Sequence, residues 1–124
     1  MAAAFPGTGD VMAAVGRAYG MAWHAVHGGD WDLAAYFLRR TRSLLRGLVT
    51  IRPKYEAQIE EFDLGYLEPL YGAVLARDLR AFDARYEQAA VQANLYHVET
   101  GHAYIRWRRP QEPPDQGLDL SPEA

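Results

Sequence analysis

The amino-acid sequence predicts an all-α protein: an antiparallel, up-down-up-down four-helix bundle with an extended, proline-rich C-terminal tail. Apolar residues recur at three- and four-residue steps in four segments. Glycines, prolines and capping aspartates separate these segments, and no stretch alternates between apolar and polar residues as a strand would. Short connections between helices of about 20 residues favour antiparallel neighbours.

The first two helices have clear start and stop signals. The first is predicted to begin near Asp10, an expected N-cap, and to end at His27, where Gly28-Gly29 stops it. Asp30 is the expected cap of the second helix, which carries its leucines on one broad arc. Arg52-Pro53 ends that helix, because the residue before a proline avoids the α conformation.

The third segment is helical in pattern but contains a proline. It runs from about Lys54 to Ala76, with its apolar residues in register before Pro69. Proline removes a backbone donor and crowds the preceding turn, so we expect a kink or a break near Leu67 and Glu68.

The fourth helix has the most regular apolar and aromatic stripe. Asp78 is its expected cap, and the stripe is predicted to keep one face as far as Trp107. The sequence Arg-Arg-Pro-Gln-Glu-Pro-Pro that follows cannot continue a helix. We therefore expect a four-helix domain over residues 1–110 and an extended tail over residues 111–124.

Composition excludes several classes of function. The chain has 124 residues, no cysteine and a net charge of −3. Without cysteine there are no disulfides, thiolate metal sites, cysteine nucleophiles or thioether bonds to haem. The net charge gives no general attraction to nucleic acid, and the apolar runs are too short to span a membrane. The N-terminus lacks the features of a signal peptide, which predicts a cytoplasmic location, or a periplasmic one if a signal peptide was removed before this numbering.

The histidines differ in their predicted orientation. His97 lies within about 40° of the centre of the fourth helix's stripe and is predicted to face the bundle interior. There it either bonds a neighbouring hydroxyl or carbonyl, or acts as a haem or metal ligand. His102 is about 140° further around a straight helix, so the two cannot share one ion. His24 and His27 are predicted at the surface or at an interface.

Other charged residues suggest weaker alternatives. Glu99 and His102 have the Glu-x-x-His spacing of di-iron bundles, but only one copy occurs. Asp63 falls on an apolar stripe, where a carboxylate needs a partner or a raised pKa, unless it lies at a kinked turn. Three arginines share a narrow wedge of the second helix and predict either an anion-binding strip or a solvated face: Arg39, Arg42 and Arg46. The sequence shows no glycine-rich phosphate loop, serine nucleophile elbow or catalytic triad.

Two stretches carry a family resemblance. Residues 93–102, Ala-Asn-Leu-Tyr-His-Val-Glu-Thr-Gly-His, are followed by Ala-Tyr-Ile and a tail from Arg109-Pro110 to Pro113-Pro114. Together with Trp23 and the sequence Gly-Asp-Trp-Asp-Leu-Ala-Ala-Tyr at 29–36, this region resembles a bacterial cytochrome c′-like family. The resemblance implies a four-helix bundle with Cys-x-x-Cys-His in its last helix, where two thioethers hold haem and the histidine ligates iron.

The attachment motif of that family is incomplete in this chain. Ala93 and Tyr96 stand where the resemblance places the two cysteines, and only His97 remains. Covalent haem is therefore impossible here. The Tyr96 ring is predicted to fill part of any inherited haem cavity.

These observations favour a non-catalytic bundle that binds a small ligand or a protein partner, both unidentified. The alternative is non-covalent binding of haem or a related ligand, with His97 as axial ligand and Tyr19, Trp23 and Tyr104 as pocket walls. An amphipathic bundle with exposed aromatic residues can also bury a further helix face, so a homodimer is one predicted assembly.

A second alternative is a metal-dependent enzyme. It would use Asp63, Glu99 or the histidines as ligands or acid–base groups. The predicted orientations scatter these side chains over different helix faces, which disfavours this alternative.

Overall fold

The computed structural model describes residues 7–121, and every regular element within them is helical. The α-helices are α1 Thr8–His27, α2 Trp31–Ile51, α3 Glu56–Phe62, α4 Glu68–Leu75 and α5 Leu79–Glu99. A 3-10 turn, Pro53–Tyr55, precedes α3, and a π turn, Asp63–Leu67, joins α3 to α4. Because α3 and α4 are continuous through that turn, the described residues form four helical rods around one core. The all-α prediction is confirmed.

Capping aspartates begin two of the helices as predicted. The Asp30 carboxylate accepts a hydrogen bond of 3.0 Å from the Leu33 N–H at the start of α2. Asp78 accepts one of 3.0 Å from the Ala81 N–H at the start of α5. Each bond satisfies a backbone donor that has no partner inside the helix. After α1 the chain turns through Gly29 at φ 89°, the left-handed conformation predicted there.

The predicted start of α1 is wrong by two residues. The helix begins at Thr8, with Gly7 at the N-cap position and no side-chain cap, and Asp10 lies in the first turn. An aspartate stabilises a helix start either as a cap or by its charge near the positive end of the helix dipole. The same sequence signal fits both positions.

Pro69 disturbs the third rod without breaking it. The disturbance lies at Asp63–Leu67, just before the predicted position, and takes the form of a π turn in which the Glu68 N–H bonds the Asp63 carbonyl. The helix then continues to Leu75 with Pro69 in its first turn, where proline's missing N–H is tolerated.

Asp63 is neutralised by an arginine of α2. Arg42 donates to its two carboxylate oxygens at 2.6 and 3.1 Å, and both side chains are largely buried. The partner that the sequence required for Asp63 is therefore Arg42, and this bond raises the pKa of Arg42. Arg39 donates to the Tyr71 hydroxyl at 3.2 Å, and Arg46 is exposed. Because Arg42 is already paired, the three arginines do not form a free anion-binding strip.

The predicted extension of the last helix to Trp107 is wrong. Helix α5 ends at Glu99, and Gly101 takes a left-handed φ of 83°. The His102 N–H then bonds the His97 carbonyl, which closes a Schellman motif. The apolar periodicity continues past the true end because the reversed chain still packs some of those side chains on the bundle.

Two tyrosines lie at the centre of the core. The rings of Tyr19 and Tyr86 stack with centroids 4.2 Å apart. The Tyr19 hydroxyl donates to the Tyr86 carbonyl at 2.6 Å, and the Tyr86 hydroxyl donates to the Tyr19 carbonyl at 3.3 Å. Burial raises the pKa of both phenols. The pair ties α1 to α5 and leaves neither buried hydroxyl without a partner.

Residues 100–121 form no helix and pack along α1; we call this segment the strap. Arg17 pairs with Asp115 at 2.8 Å. A Cβ atom added at Gly20 would lie 3.1 Å from the Pro110 ring, so glycine lets the strap approach α1 closely here.

The strap also covers a histidine. The His24 Nε2 lies 3.1 Å from the Pro110 carbonyl, and its pKa is lowered, chiefly by burial. His24 is therefore partly covered by the chain itself, whereas His27 is exposed and pairs with Asp83 at 2.7 Å.

No helix within residues 7–121 combines the length and the hydropathy that crossing a bilayer requires.

Candidate functional site

An open, apolar groove of about 440 Å³ lies beside the core. Four helices and the strap supply its walls, and most lining side chains are apolar or aromatic. The residues that define the groove are Thr8, Gly9, Met12, Ala13 and Gly16 from α1, Leu45 and Leu48 from α2, Tyr55 just before α3, Gln58, Ile59 and Phe62 from α3, Ala93, Tyr96 and His97 from α5, and Thr100, His102, Ile105 and Trp107 from the strap. Its volume falls within the range of roughly 300–1,000 Å³ typical of small-molecule sites.

His97 is the main polar group of the groove. The side chain is half-buried in the wall, at the rim rather than among the packed core residues. Its Nδ1 lies 3.0 Å from the Ile105 carbonyl, and the Trp107 ring meets its imidazole edge-on, with centroids 5.8 Å apart. His97 therefore lies in the wall of a ligand-sized space rather than in the bundle interior predicted from the sequence.

The Ile105 carbonyl determines which nitrogen of His97 carries the proton. A carbonyl only accepts hydrogen bonds, so Nδ1 must be the donor, and Nε2 of the neutral ring then carries a lone pair. Burial lowers the pKa of His97 below its ordinary value of 6.5, and the charge of nearby His102 lowers it further. The hydrogen bond to the Ile105 carbonyl raises the pKa but does not cancel these two effects. Near neutral pH the groove therefore presents a hydrogen-bond acceptor or metal ligand at Nε2.

His102 lines the same groove as His97, contrary to the predicted orientation. The prediction assumed one straight helix, whereas the chain reverses at Gly101. The His102 Nδ1 lies 3.1 Å from the Thr100 hydroxyl, which itself donates to the Tyr96 carbonyl at 2.9 Å. The strap therefore brings together two histidines that helical geometry alone would separate.

Tyr96 forms part of the wall. Its ring packs edge-on against Phe62, and its hydroxyl donates to the Glu61 carboxylate outside the lining. Burial and the Glu61 bond raise the pKa of the phenol. Because this bond draws the hydroxyl towards α3, a groove remains beside a ring that was predicted to fill the cavity.

The other three predicted pocket residues lie outside the groove. Tyr19 is buried behind it and contacts it only through Trp107, on which it stacks at 5.4 Å. Tyr104 is 78% exposed because α5 ends five residues earlier. Trp23 lies between His27, on which it stacks at 3.9 Å, and the Arg109 guanidinium, 4.9 Å from its ring.

Trp23 lines a second, more polar cleft of about 540 Å³ between α5 and the strap. Its wall includes Asn94, Arg108 and Arg109, together with Glu87. Trp107 lines this cleft as well as the groove, so one indole separates the two spaces.

The described residues contain no group of three or more histidine and carboxylate side chains placed to hold a metal ion. Asp63 is paired with Arg42, and Glu99 is exposed at the end of α5, outside the groove lining. Of the residues suggested for a metal-dependent enzyme, His97 and His102 therefore share the groove, whereas Asp63 and Glu99 do not join them.

Sequence reasoning placed only His97 and Tyr96 in the groove, and it missed the contact between Asn94 and Trp107 that holds the strap in place. The Asn94 amide donates to the Trp107 carbonyl at 2.9 Å and accepts from the Trp107 N–H at 2.6 Å. This pair of bonds fixes the strap where it passes from the groove to the second cleft. Nothing in the sequence links Trp107 to Asn94.

Comparison with protein-family models, with curated proteins and with solved structures finds no match to this chain.

Proposed function

We propose that this protein binds a small, neutral and largely apolar ligand in the groove, in a non-catalytic role. The observation that carries the proposal is a ligand-sized apolar space with one oriented imidazole in its wall. An apolar body would gain from leaving water, and one donor group on the ligand would bond Nε2 of His97.

The charges around the groove favour a neutral ligand. Among the described residues that line it there is no lysine, arginine, aspartate or glutamate. A charged ligand would lose hydration without gaining a counter-charge, whereas a neutral one has no such cost. The same lining offers no carboxylate to work with His97 as an acid–base pair, which supports binding rather than catalysis.

The test uses two fluorescent dyes of matched shape. N-phenylnaphthylamine is neutral, apolar and carries one N–H donor, and anilinonaphthalene sulfonate adds an anionic group to the same rings. We expect saturable binding of the neutral dye and binding of the sulfonate that is weaker by about tenfold or more, a difference of about 1.4 kcal/mol. Equal affinity for the two dyes would contradict the neutral-ligand assignment.

A matched pair of variants locates the bound dye. Ala13 lines the groove and is exposed, so Ala13→Phe places a ring in the groove without disturbing the core. Ala84 is exposed on α5 outside the groove, so Ala84→Phe is the control. We expect Ala13→Phe to weaken binding of the neutral dye by about tenfold and Ala84→Phe to leave it unchanged. An unchanged affinity in both variants would mean that the dye binds elsewhere.

Non-covalent haem with His97 as axial ligand is the second candidate. An imidazole that donates Nδ1–H to a carbonyl and leaves Nε2 free has the orientation common among metal-bound histidines. The resemblance to cytochrome c′-like bundles points to the same residue. The chain supplies no cysteine for thioethers, and no lysine or arginine lies in the lining to pair with propionates, so we rank haem below a neutral ligand.

Haem titration separates the two candidates. Axial ligation by His97 predicts a saturable, one-to-one Soret change in the wild type that is lost in His97→Ala. If the Soret change and the affinity survive in His97→Ala, His97 is not the ligand. If no saturable change occurs, the haem candidate is rejected, and the dye experiments then test whether the groove binds a neutral ligand.

We further propose that the four rods run up-down-up-down, as in the bundles that the sequence resembles. The short connections Gly28–Asp30 and Ala76–Asp78, together with the packing of α1 on α2, support this topology. The distance between spin labels at the start of α1 and at the end of α2 would test it, because only antiparallel neighbours bring these two positions close together.

A further inference from the structure

The strap takes part in the groove as well as covering α1. His102, Ile105 and Trp107 supply one wall, and the Ile105 carbonyl orients His97. If the strap left the bundle, the groove would lose that wall, and His97 would lose the bond that fixes its tautomer. The geometry of the groove therefore depends on the docked strap.

The contacts that hold the rest of the strap on α1 are several but individually weak. The Arg17–Asp115 pair is open to solvent, and exposed pairs contribute little to stability. Beyond this pair, Pro110 and Pro114 pack against Gly20, and Pro110 accepts a hydrogen bond from His24. The Asp115 N–H lies 3.3 Å from the Met21 sulfur, and Leu120 packs against Gly28. A segment without regular backbone hydrogen bonds, held by such contacts, opens at a lower free energy than the core.

We propose that the strap is a displaceable wall of the groove, so that strap docking and ligand binding stabilise each other. This inference rests on the proposed function. A ligand that needs the docked strap must favour that state, and by linkage the docked strap must raise the affinity for the ligand by the same factor. The contacts of the strap with Arg17, Gly20 and His24 on α1 thereby influence ligand binding in the groove, although these three residues do not line it.

Trypsin gives a direct measure of strap opening in the intact protein. Arg106 and Arg108 lie in the strap and are exposed, and mass spectrometry distinguishes cleavage there from cleavage in the helices. At ten times the dissociation constant of N-phenylnaphthylamine, the docked state gains a factor of about 11, so we expect cleavage of the strap to slow about tenfold.

The converse experiment weakens the strap from outside the groove. Gly20→Val places a branched side chain against Pro110, where even a Cβ would be only 3.1 Å away. Gly47→Val is the control, because a Cβ at Gly47 meets nothing within 4 Å. We expect Gly20→Val to speed cleavage at Arg106 and Gly47→Val to leave its rate unchanged. In both variants the dye at ten times its dissociation constant should again slow cleavage about tenfold, because it binds the docked state. Dye affinity falls by the same factor as cleavage rises only where the strap is open in most molecules, because the apparent dissociation constant depends on the docked fraction. Gly20→Ala replaces Gly20→Val if the latter loses its helical circular dichroism signal.

The outcomes separate this inference from the proposed function. If the dye binds but slows strap cleavage in neither the wild type nor Gly20→Val, the strap is independent of the groove and the inference is overturned alone. If the wild-type protein takes up no dye, the proposed function fails and the coupling fails with it. Saturable dye binding that slows strap cleavage in both proteins supports both.

Discussion

Replacing Asn94 by alanine should make the strap open more often, because the Asn94 amide holds the strap at Trp107. Asn94→Ala removes the two hydrogen bonds that the amide makes with the Trp107 backbone, at 2.9 and 2.6 Å. Each such bond contributes about 1 kcal/mol net, so opening should become easier by about 2 kcal/mol. That difference corresponds to a strap that opens about 30-fold more often.

The Trp107 amide proton measures this opening directly, because it is the donor in one of the two bonds. Hydrogen exchange followed by NMR should show its exchange about 30-fold faster in Asn94→Ala. Asn94→Asp keeps the acceptor but loses the donor, so an intermediate acceleration of about fivefold is expected. Gln92→Ala is the control: Gln92 is also an amide on α5, but it accepts from Tyr66 on the other side. An increase below about threefold in Asn94→Ala would show that other contacts hold the strap.

Three further predictions concern stability. Asp63→Asn should lower the free energy of unfolding by about 2 kcal/mol in urea denaturation, because Arg42 keeps its charge in a largely buried position. Tyr19→Phe should cost about 1 kcal/mol and leave dye affinity unchanged, since its hydroxyl bonds within the core. The unfolding free energy should fall as the pH drops below about 6.5. The pKa values of His24 and His97 are lowered in the folded protein, so below that pH the unfolded chain binds more protons than the folded one.

Each of these has a simple control. Asp32 is exposed and its nearest arginine is 3.8 Å away, so Asp32→Asn should change stability by less than about 0.5 kcal/mol. For the pH dependence, replacing His24 and His97 by glutamine should flatten the loss below about pH 6.5. A loss of stability that is the same in this double variant would assign it to other groups. A fall in dye affinity in Tyr19→Phe would mean that the groove reaches further into the core than described.

The local signals in the sequence predicted much of the fold. Asp30, Asp78 and Gly29 do what their residue types suggest, because capping and left-handed turns depend on a few neighbouring atoms. The disturbance before Pro69 was also predictable, although not its resolution as a π turn. Pro69 has no N–H to donate to the preceding turn, and either a widened turn or a break can accommodate this loss. Tertiary packing selects between the two.

The candidate site was harder to predict because it depends on contacts between distant parts of the chain. Helical arithmetic predicted that His97 faces the bundle interior, whereas it lies half-buried in the groove wall. The same arithmetic continued the helix through Gly101 and so misplaced His102 and Tyr104. The glycine carried the correct stop signal, which the longer apolar periodicity outweighed. The bonds between Asn94 and Trp107 join side chain and backbone across a chain reversal, and no periodic pattern encodes them.

The position of Trp107 between the groove and the second cleft makes it a spectroscopic reporter for both. Its indole stacks on Tyr19 and meets the His97 imidazole, so its emission should respond to a molecule in either space and to protonation of the histidine. Quenching of tryptophan emission by a small molecule is therefore a signal from two sites at once. A screen for ligands gains resolution if every hit is measured again in Ala13→Phe, which fills only one of them.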